Sequence, residues 1–294
     1  MKDLKYLLAY VAPLSAFVGL YFQGWLSPGS FYVAFVFIPF VELFNEGSSD
    51  NFNEEVEQSK LADKFFDILL YLNVPILFAL ITYFLYTITY VSLSNWELFF
   101  STLSVGIVTS TIGINVAHEL GHRQSKIEQG LSKLLLTFAL YTHFFIEHNR
   151  GHHVHIATPE DPATSRKGEM IYTFWLRSSI FSYISAWKLE AKRLKKENKS
   201  IVSLSNEMIV FQLIQISYLA LIFAFFGMTV MLFSIAIAII GFLLLETINY
   251  IEHYGLVRSK LPNGRYERVD MRHSWNSNHE IGRIVLYELT RHSD

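Results

Sequence analysis

The sequence contains no cysteine. Disulfides, iron–sulfur clusters, a rubredoxin-type iron site and a thiolate-ligated haem are therefore excluded within this chain. Any redox chemistry must draw its electrons from another protein. Net charge is also scarce. The 24 Lys and Arg against 26 Asp and Glu leave −2 at pH 7, and so balanced a chain carries no electrostatic footprint for nucleic acid. No internal repeat and no low-complexity segment occurs. The first ten residues lack a signal-peptide layout, because no small-residue cleavage site follows the apolar stretch, so the first apolar run is expected to be a retained helix.

What the chain has in quantity is apolar residues, 51% of its 294, including 25 Phe and 16 Tyr. They fall in long runs separated by blocks of charge. A membrane-crossing helix needs about 20 mostly apolar residues. Residues 6–25 meet this, with Pro13 as a tolerated kink, and residues 31–44 form a shorter run. Gly24, Ser27, Pro28, Gly29 and Ser30 make the turn of a hairpin between them. An acidic stretch at 45–63 follows. Further runs occupy residues 65–93, 98–117, 208–226 and 228–248, the last two joined by a turn near Gly227. The expected fold is all-α and integral to a membrane, with six transmembrane helices and a single domain over residues 1–294.

Lys and Arg concentrate at 147–206 and after residue 257, whereas the connections after the first, third and fifth runs carry none. Six spans with both termini cytoplasmic satisfy this bias, and the bacterial inner membrane is the expected location. Residues 131–146 resist the count. If they spanned, the histidines on either side of them would face opposite sides of the membrane, so they are expected to form a buried or re-entrant helix. Residues 187–198 are basic and partly amphipathic, suited to the membrane surface, where their lysines would meet lipid headgroups.

The eleven histidines cluster. His118-Glu119-Leu120-Gly121-His122 ends the fourth run, and its i, i+4 spacing puts two imidazoles on one helix face. His148-Asn149-Arg150-Gly151-His152-His153 repeats that spacing and adds a neighbouring ring. His253 follows the sixth run, and the sequence closes on Arg291-His292-Ser293-Asp294. In the six-span topology all four places lie at cytoplasmic helix ends. Seven imidazoles exceed the need of one tetrahedral ion and suit two. Imidazole serves Fe, Zn, Cu and Ni alike, so the ligands do not choose the metal. Glu119, Glu147, Glu252 and Asp161 are the carboxylates available to offset its charge or orient the rings. His143, His155, His273 and His279 are candidates for supporting roles. A lone His-x-x-x-His pair is usually accidental, and His-Glu-x-x-His is also the zinc-protease motif; that reading leaves four histidines idle.

Taken in order, these motifs resemble the integral-membrane alkane 1-monooxygenase family. The likeness runs through His118–His122, Glu147–His153, Ala157-Thr158-Pro159-Glu160-Asp161-Pro162-Ala163, Asn249-Tyr250-Ile251-Glu252-His253-Tyr254-Gly255, His273-Ser274-Trp275-Asn276-Ser277-Asn278-His279 and the closing Arg-His-Ser-Asp. It implies that His118, His122, His148, His152, His153, His253 and His292 are iron ligands of a pair of non-haem irons. It implies O2 as co-substrate, hydroxylation of the terminal methyl of medium- to long-chain n-alkanes, and electrons from rubredoxin, itself reduced by an NAD(P)H-dependent reductase. The family's last motif carries two more histidines past His-Ser-Asp, so the sequence ending at Asp294 is expected to hold one iron poorly. A desaturase or a fatty-acyl or xylene hydroxylase shares the histidine chemistry on another substrate. A membrane zinc protease is a further alternative. A transporter would want ionisable residues at the bilayer midplane, where these runs have few.

Overall fold

A computed structural model describes residues 2–45, 64–277 and 279–286. Helices account for nearly all regular structure among them, and the only pairing of extended backbone there is an isolated bridge between Lys260 and Tyr266. Helix α1 is Asp3–Phe22, α2 is Gly29–Glu42, α3 is Lys64–Tyr90 and α4 is Asn95–His122. Helix α5 is Lys126–Phe138. A short, irregular α6 runs through Phe144–Glu147, His148–His152 and His153–His155. Ile171–Lys196 is α7, Glu207–Glu252 is α8 and Glu280–Val285 is α9.

Among the described residues four helices, α1, α3, α4 and α8, are long and apolar enough to cross a membrane. In α8 only 28% of the most apolar window is buried inside the protein. A helix apolar all round yet mostly uncovered needs lipid as its solvent, so the protein is an integral membrane protein. The 46 residues of α8 are not one continuous helix. Gly227 has φ 83° and ψ 177° and divides it at the turn expected from the sequence. Such backbone is open to glycine because it lacks a Cβ.

Local chemistry sets the helix junctions. Ser94 and Glu97 form a reciprocal capping box at the start of α4, and the same Glu97 carboxylate accepts the Gly24 N–H at 2.9 Å, tying the α1–α2 turn to α4. A Cβ on Gly29 would sit inside the Ser15 carbonyl, so this glycine lets the hairpin close. Ser30 and Ser104, both buried, hydrogen-bond between α2 and α4, with Ser30 N donating to Ser104 Oγ at 3.0 Å.

Two departures from the sequence reading matter for the site. The apolar run at 131–146 is not one helix: α5 ends at Phe138, Leu140 takes φ +50°, and a new helical turn starts at Phe144. Its residues Leu135, Leu136 and Tyr141 are buried, as expected for a segment packed inside the protein. The basic stretch at 187–198 is the end of the longer α7, whose buried row Phe174, Ser178, Ser182, Ala186, Glu190 and Leu194 recurs every fourth residue. The charges that crowd its second half marked out 187–198, whereas residues 171–186 mix polar and apolar types and gave no clear run.

Candidate metal centre

Wide helical turns aim the histidines. Residues Thr109–Ile114 of α4 form a π turn directly before the His118 motif, and His148–His152 form another in α6. Such bulges insert a residue, shift the register and often mark functional sites. The second one changes which rings meet. Instead of the i, i+4 pair alone, the i, i+5 pair converges: His148 Nε2 and His153 Nε2 lie 2.9 Å apart. Gly151 makes the turn possible, since a Cβ there would stand 2.6 Å from Glu147 Oε1 and 3.1 Å from Leu189 Cδ1.

His118, His122, His148 and His153 bring one ring nitrogen each within 4.8 Å of one another. His148 Nε2 is 2.7 Å from His118 Nε2, and His153 Nε2 is 3.2 Å from His122 Nε2. Nitrogens bound at about 2.0–2.1 Å around a tetrahedral ion stand roughly 3.3 Å apart. The three observed gaps are tighter than that while the set as a whole spans up to 4.8 Å, so the four donors bracket the tetrahedral spacing and reach a metal ion by small shifts of the rings. His122 is the exposed member and the other three are buried or half-buried.

His152 and His253 stand beside this group. Their ring centroids are 5.0 Å apart, and the His152 ring stacks on His148 at 5.3 Å. Both rings are oriented through Nδ1. Asp161 Oδ2 accepts from His152 Nδ1 at 3.0 Å, and the His273 carbonyl accepts from His253 Nδ1 at 3.2 Å. A donor at Nδ1 leaves the lone pair on Nε2, the arrangement that metal-binding imidazoles use. The His253 Nε2 is buried without a hydrogen-bond partner, as a ligand atom awaiting a metal would be. His292 lies outside the described residues.

Asp161 is itself held by Thr164 Oγ1 at 2.5 Å and by the Ala163 N–H at 3.0 Å. The loop carrying it is clamped from α7, where Arg177 donates to Glu169 at 2.7 Å and to the carbonyls of Pro162 and Thr164 at 3.0 Å. Arg258 donates to the carbonyls of Val154 and Ile156, at 3.0 and 3.2 Å, which docks the chain after His253 onto the α6 motif.

Burial favours neutral imidazole. It lowers His153 and His253 to about 4 each, helped by the neighbouring His152. His152 departs from this pattern: burial alone would lower it, but the Asp161 carboxylate outweighs that and lifts it to about 9, so a metal at Nε2 would have to displace a proton there. Asp161 is correspondingly held below the usual carboxylate range, since His152 overcomes the upward push of burial. Burial, with the Asp161 charge behind it, raises Glu147 to about 8.

The four candidate carboxylates therefore differ. Asp161 orients a ring directly, Glu147 is buried next to the cluster, and Glu252 lies near enough to His152 to support its charge. Glu119 turns away and pairs with Arg123 at 3.7 Å. Of the candidate supporting histidines, His273 contributes its carbonyl, and its ring accepts from the Asp270 N–H at 3.0 Å. His143 is buried between Tyr141 and Tyr183, whereas His155 is only half-buried. His279 sits at the start of α9. The sequence reading missed Glu190. This fully buried carboxylate receives Arg150 at 3.0 Å and Arg193 at 2.6 Å, and anchors the α6 motif to α7. Its place in the four-residue buried row was the available signal.

This centre, a set of converging and mostly buried histidines beside an apolar helix end, defines a membrane metalloenzyme of the histidine-box kind, and residues 94–294 match the family described as fatty acid desaturase. Within that class the chain belongs to the alkane 1-monooxygenase family. It is 39% identical to alkane 1-monooxygenase 1 of Alcanivorax borkumensis, over 98% of this chain and 72% of that one. It is 37% identical to the alkane 1-monooxygenase of Pseudomonas putida, over 100% of this chain and 74% of the relative. Similarity extends to the xylene/toluene monooxygenase hydroxylase component XylM of Pseudomonas putida, at 26% identity over 99% and 76% of the two chains.

Proposed function

We propose that the protein hydroxylates the terminal methyl of medium- to long-chain n-alkanes, giving 1-alkanols, with O2 as co-substrate. The observation that carries this reading is the convergence of His118, His122, His148 and His153 within 4.8 Å, at the end of an apolar helix, in a chain of this family. A strong C–H bond without a polar handle needs an oxidant that side chains cannot supply, and two irons bound by these histidines would activate O2 for that task. His118, His122, His148 and His153 would hold one ion. His152 and His253, with His292, would serve the other.

The remaining residues orient and shield. Asp161 keeps His152 in the Nδ1–H tautomer, and Arg258 and Arg177 hold the two loops that cover the α6 motif. The balance is RH + O2 + 2 e− + 2 H+ giving ROH + H2O. With no cysteine in the chain, the electrons come from a separate carrier, which we assign to rubredoxin reduced by an NAD(P)H-dependent reductase. In the membrane, α1, α2, α3, α4 and the two halves of α8 make six spans of a single domain in the bacterial inner membrane. Both termini and the metal centre then lie on the cytoplasmic side, in keeping with the Lys and Arg bias.

Expression with rubredoxin and its reductase, feeding n-alkanes of graded length, tests the assignment. The expected product is the 1-alkanol, identified by mass spectrometry, and metal analysis should show iron. The likeness to XylM and to fatty acid desaturases supports a second reading, oxidation of a xylene-type or fatty-acyl substrate. Product from those substrates and none from alkanes would select it.

A further inference from the structure

Next to the metal centre lies a small pocket whose lining includes Tyr141, His143, Glu147, His148, His152 and Glu246. Three of these side chains are at least nine-tenths buried: His143 is 6% exposed, Glu147 3% and Glu246 2%. Each also leaves an atom unsatisfied. His143 Nε2, Glu147 Oε1 and Glu246 Oε2 are buried without hydrogen-bond partners. The other Glu246 oxygen accepts from the Tyr141 hydroxyl at 2.8 Å, and the Tyr141 ring is fixed by stacking on Phe242 at 4.9 Å.

Buried polar atoms are almost always paired, with protein or with ordered water. Water occupies buried sites that offer it two to four polar partners. An alkane offers no donor and no acceptor, so it would leave all three atoms unsatisfied. The pocket is therefore chemically wrong for the hydrocarbon and right for water, and it reaches two of the centre's histidines, His148 and His152.

We propose that this pocket holds ordered water and that Glu246 passes protons through it to the His148–His152 side of the centre, regaining each proton from water before the next transfer. The inference rests on the oxygenase reading above, in which the electron carrier supplies two electrons and two protons end in the water made from one atom of O2. Glu246 is the relay residue, and Tyr141 holds its carboxyl in place. The hydrogen bond from Tyr141 survives in Glu246→Gln, because the amide oxygen can accept it, whereas an exchangeable carboxyl proton does not.

A high-resolution structure of the substrate-free protein in lipid provides the first readout. Water density bridging His143 Nε2, Glu147 Oε1 and Glu246 Oε2 is expected, and density for an acyl chain or a detergent tail there would overturn the proposal. The second readout compares Glu246→Gln and Tyr141→Phe with the wild type, at equal metal content, for turnover, solvent deuterium isotope effect and alcohol formed per electron consumed. Glu246→Gln should slow turnover on the order of 10²-fold and raise the isotope effect, with a smaller change in Tyr141→Phe. An unchanged isotope effect and rate in Glu246→Gln would overturn the relay. A wild-type protein that forms no alcohol from any alkane would instead defeat the function proposed above, and the water density would still decide the pocket's occupant.

Discussion

The two halves of the metal centre are built differently. His118, His122, His148 and His153 come from α4 and α6 alone, and π turns within those two helices set their convergence. His152 and His253 depend on chain from farther away: His152 needs Asp161 on the following loop, and His253 needs the His273 carbonyl twenty residues on. One half thus sits on two packed helices and their wide turns, while the other also waits on the docking of loops. The half that rests on loops should be the easier to lose.

The harshest test of that division removes the ring common to both halves. His148 touches His118 and His153 and stacks on His152, so His148→Ala should abolish metal retention and lower activity by more than about 100-fold, beyond what outer-shell changes cause. His152→Ala should instead spare the ion held by the four-histidine group. Metal analysis of the two purified variants checks this, and equal loss in both would erase the distinction between the halves.

Next in size is Asp161→Asn, which keeps the volume but weakens control of the His152 tautomer. A loss of about 10- to 100-fold in metal affinity or activity is expected, read by competition with a chelator. A Gly151→Ala change strikes the local half, because the new Cβ would meet Glu147 Oε1 at 2.6 Å. Overpacking of this kind costs about 1–3 kcal/mol, visible as a lower unfolding temperature.

The loop-dependent half should also show acid sensitivity away from the metal. Arg177 holds the Glu169 carboxyl below its usual range, overcoming the opposing push of burial. A depressed folded value means the contribution is complete above the ordinary glutamate value of 4.5 and fades as pH falls through the folded value. Arg177→Met should therefore lower the unfolding temperature at pH 7 and lower it much less near pH 3; an equal drop at both would show that the ion pair contributes nothing. Least affected should be Glu119→Gln. Its carboxylate faces Arg123 and is partly exposed, so stability should stay within about 0.5 kcal/mol, and activity should hold.

Helix ends and histidine spacing were readable in the sequence because each is a short-range property. The break at Gly227 and the glycine turn between α1 and α2 both depend on neighbours a few residues apart. The four carboxylates near the motifs were indistinguishable by spacing, and contact alone separates Asp161, on His152, from Glu119, on Arg123. Helix α7 stayed half hidden because its first turns mix polar and apolar residues around a narrow buried row. The polar pocket of His143, Glu147 and Glu246 was hidden for a related reason, since Glu246 is 99 residues from Glu147 in the chain.

By itself the order of residues determined that this chain enters a membrane and carries enough imidazole for metal, because both follow from composition and from periodicity along one helix. Which rings converge was decided only in three dimensions. An α-helix pairs i with i+4, a π turn pairs i with i+5, and the choice between them rests on packing around Gly151 that no local pattern encodes. The orientation of His152 and His253 was likewise settled by loops folding back, since a ring's tautomer depends on whichever acceptor the tertiary structure brings to its other nitrogen.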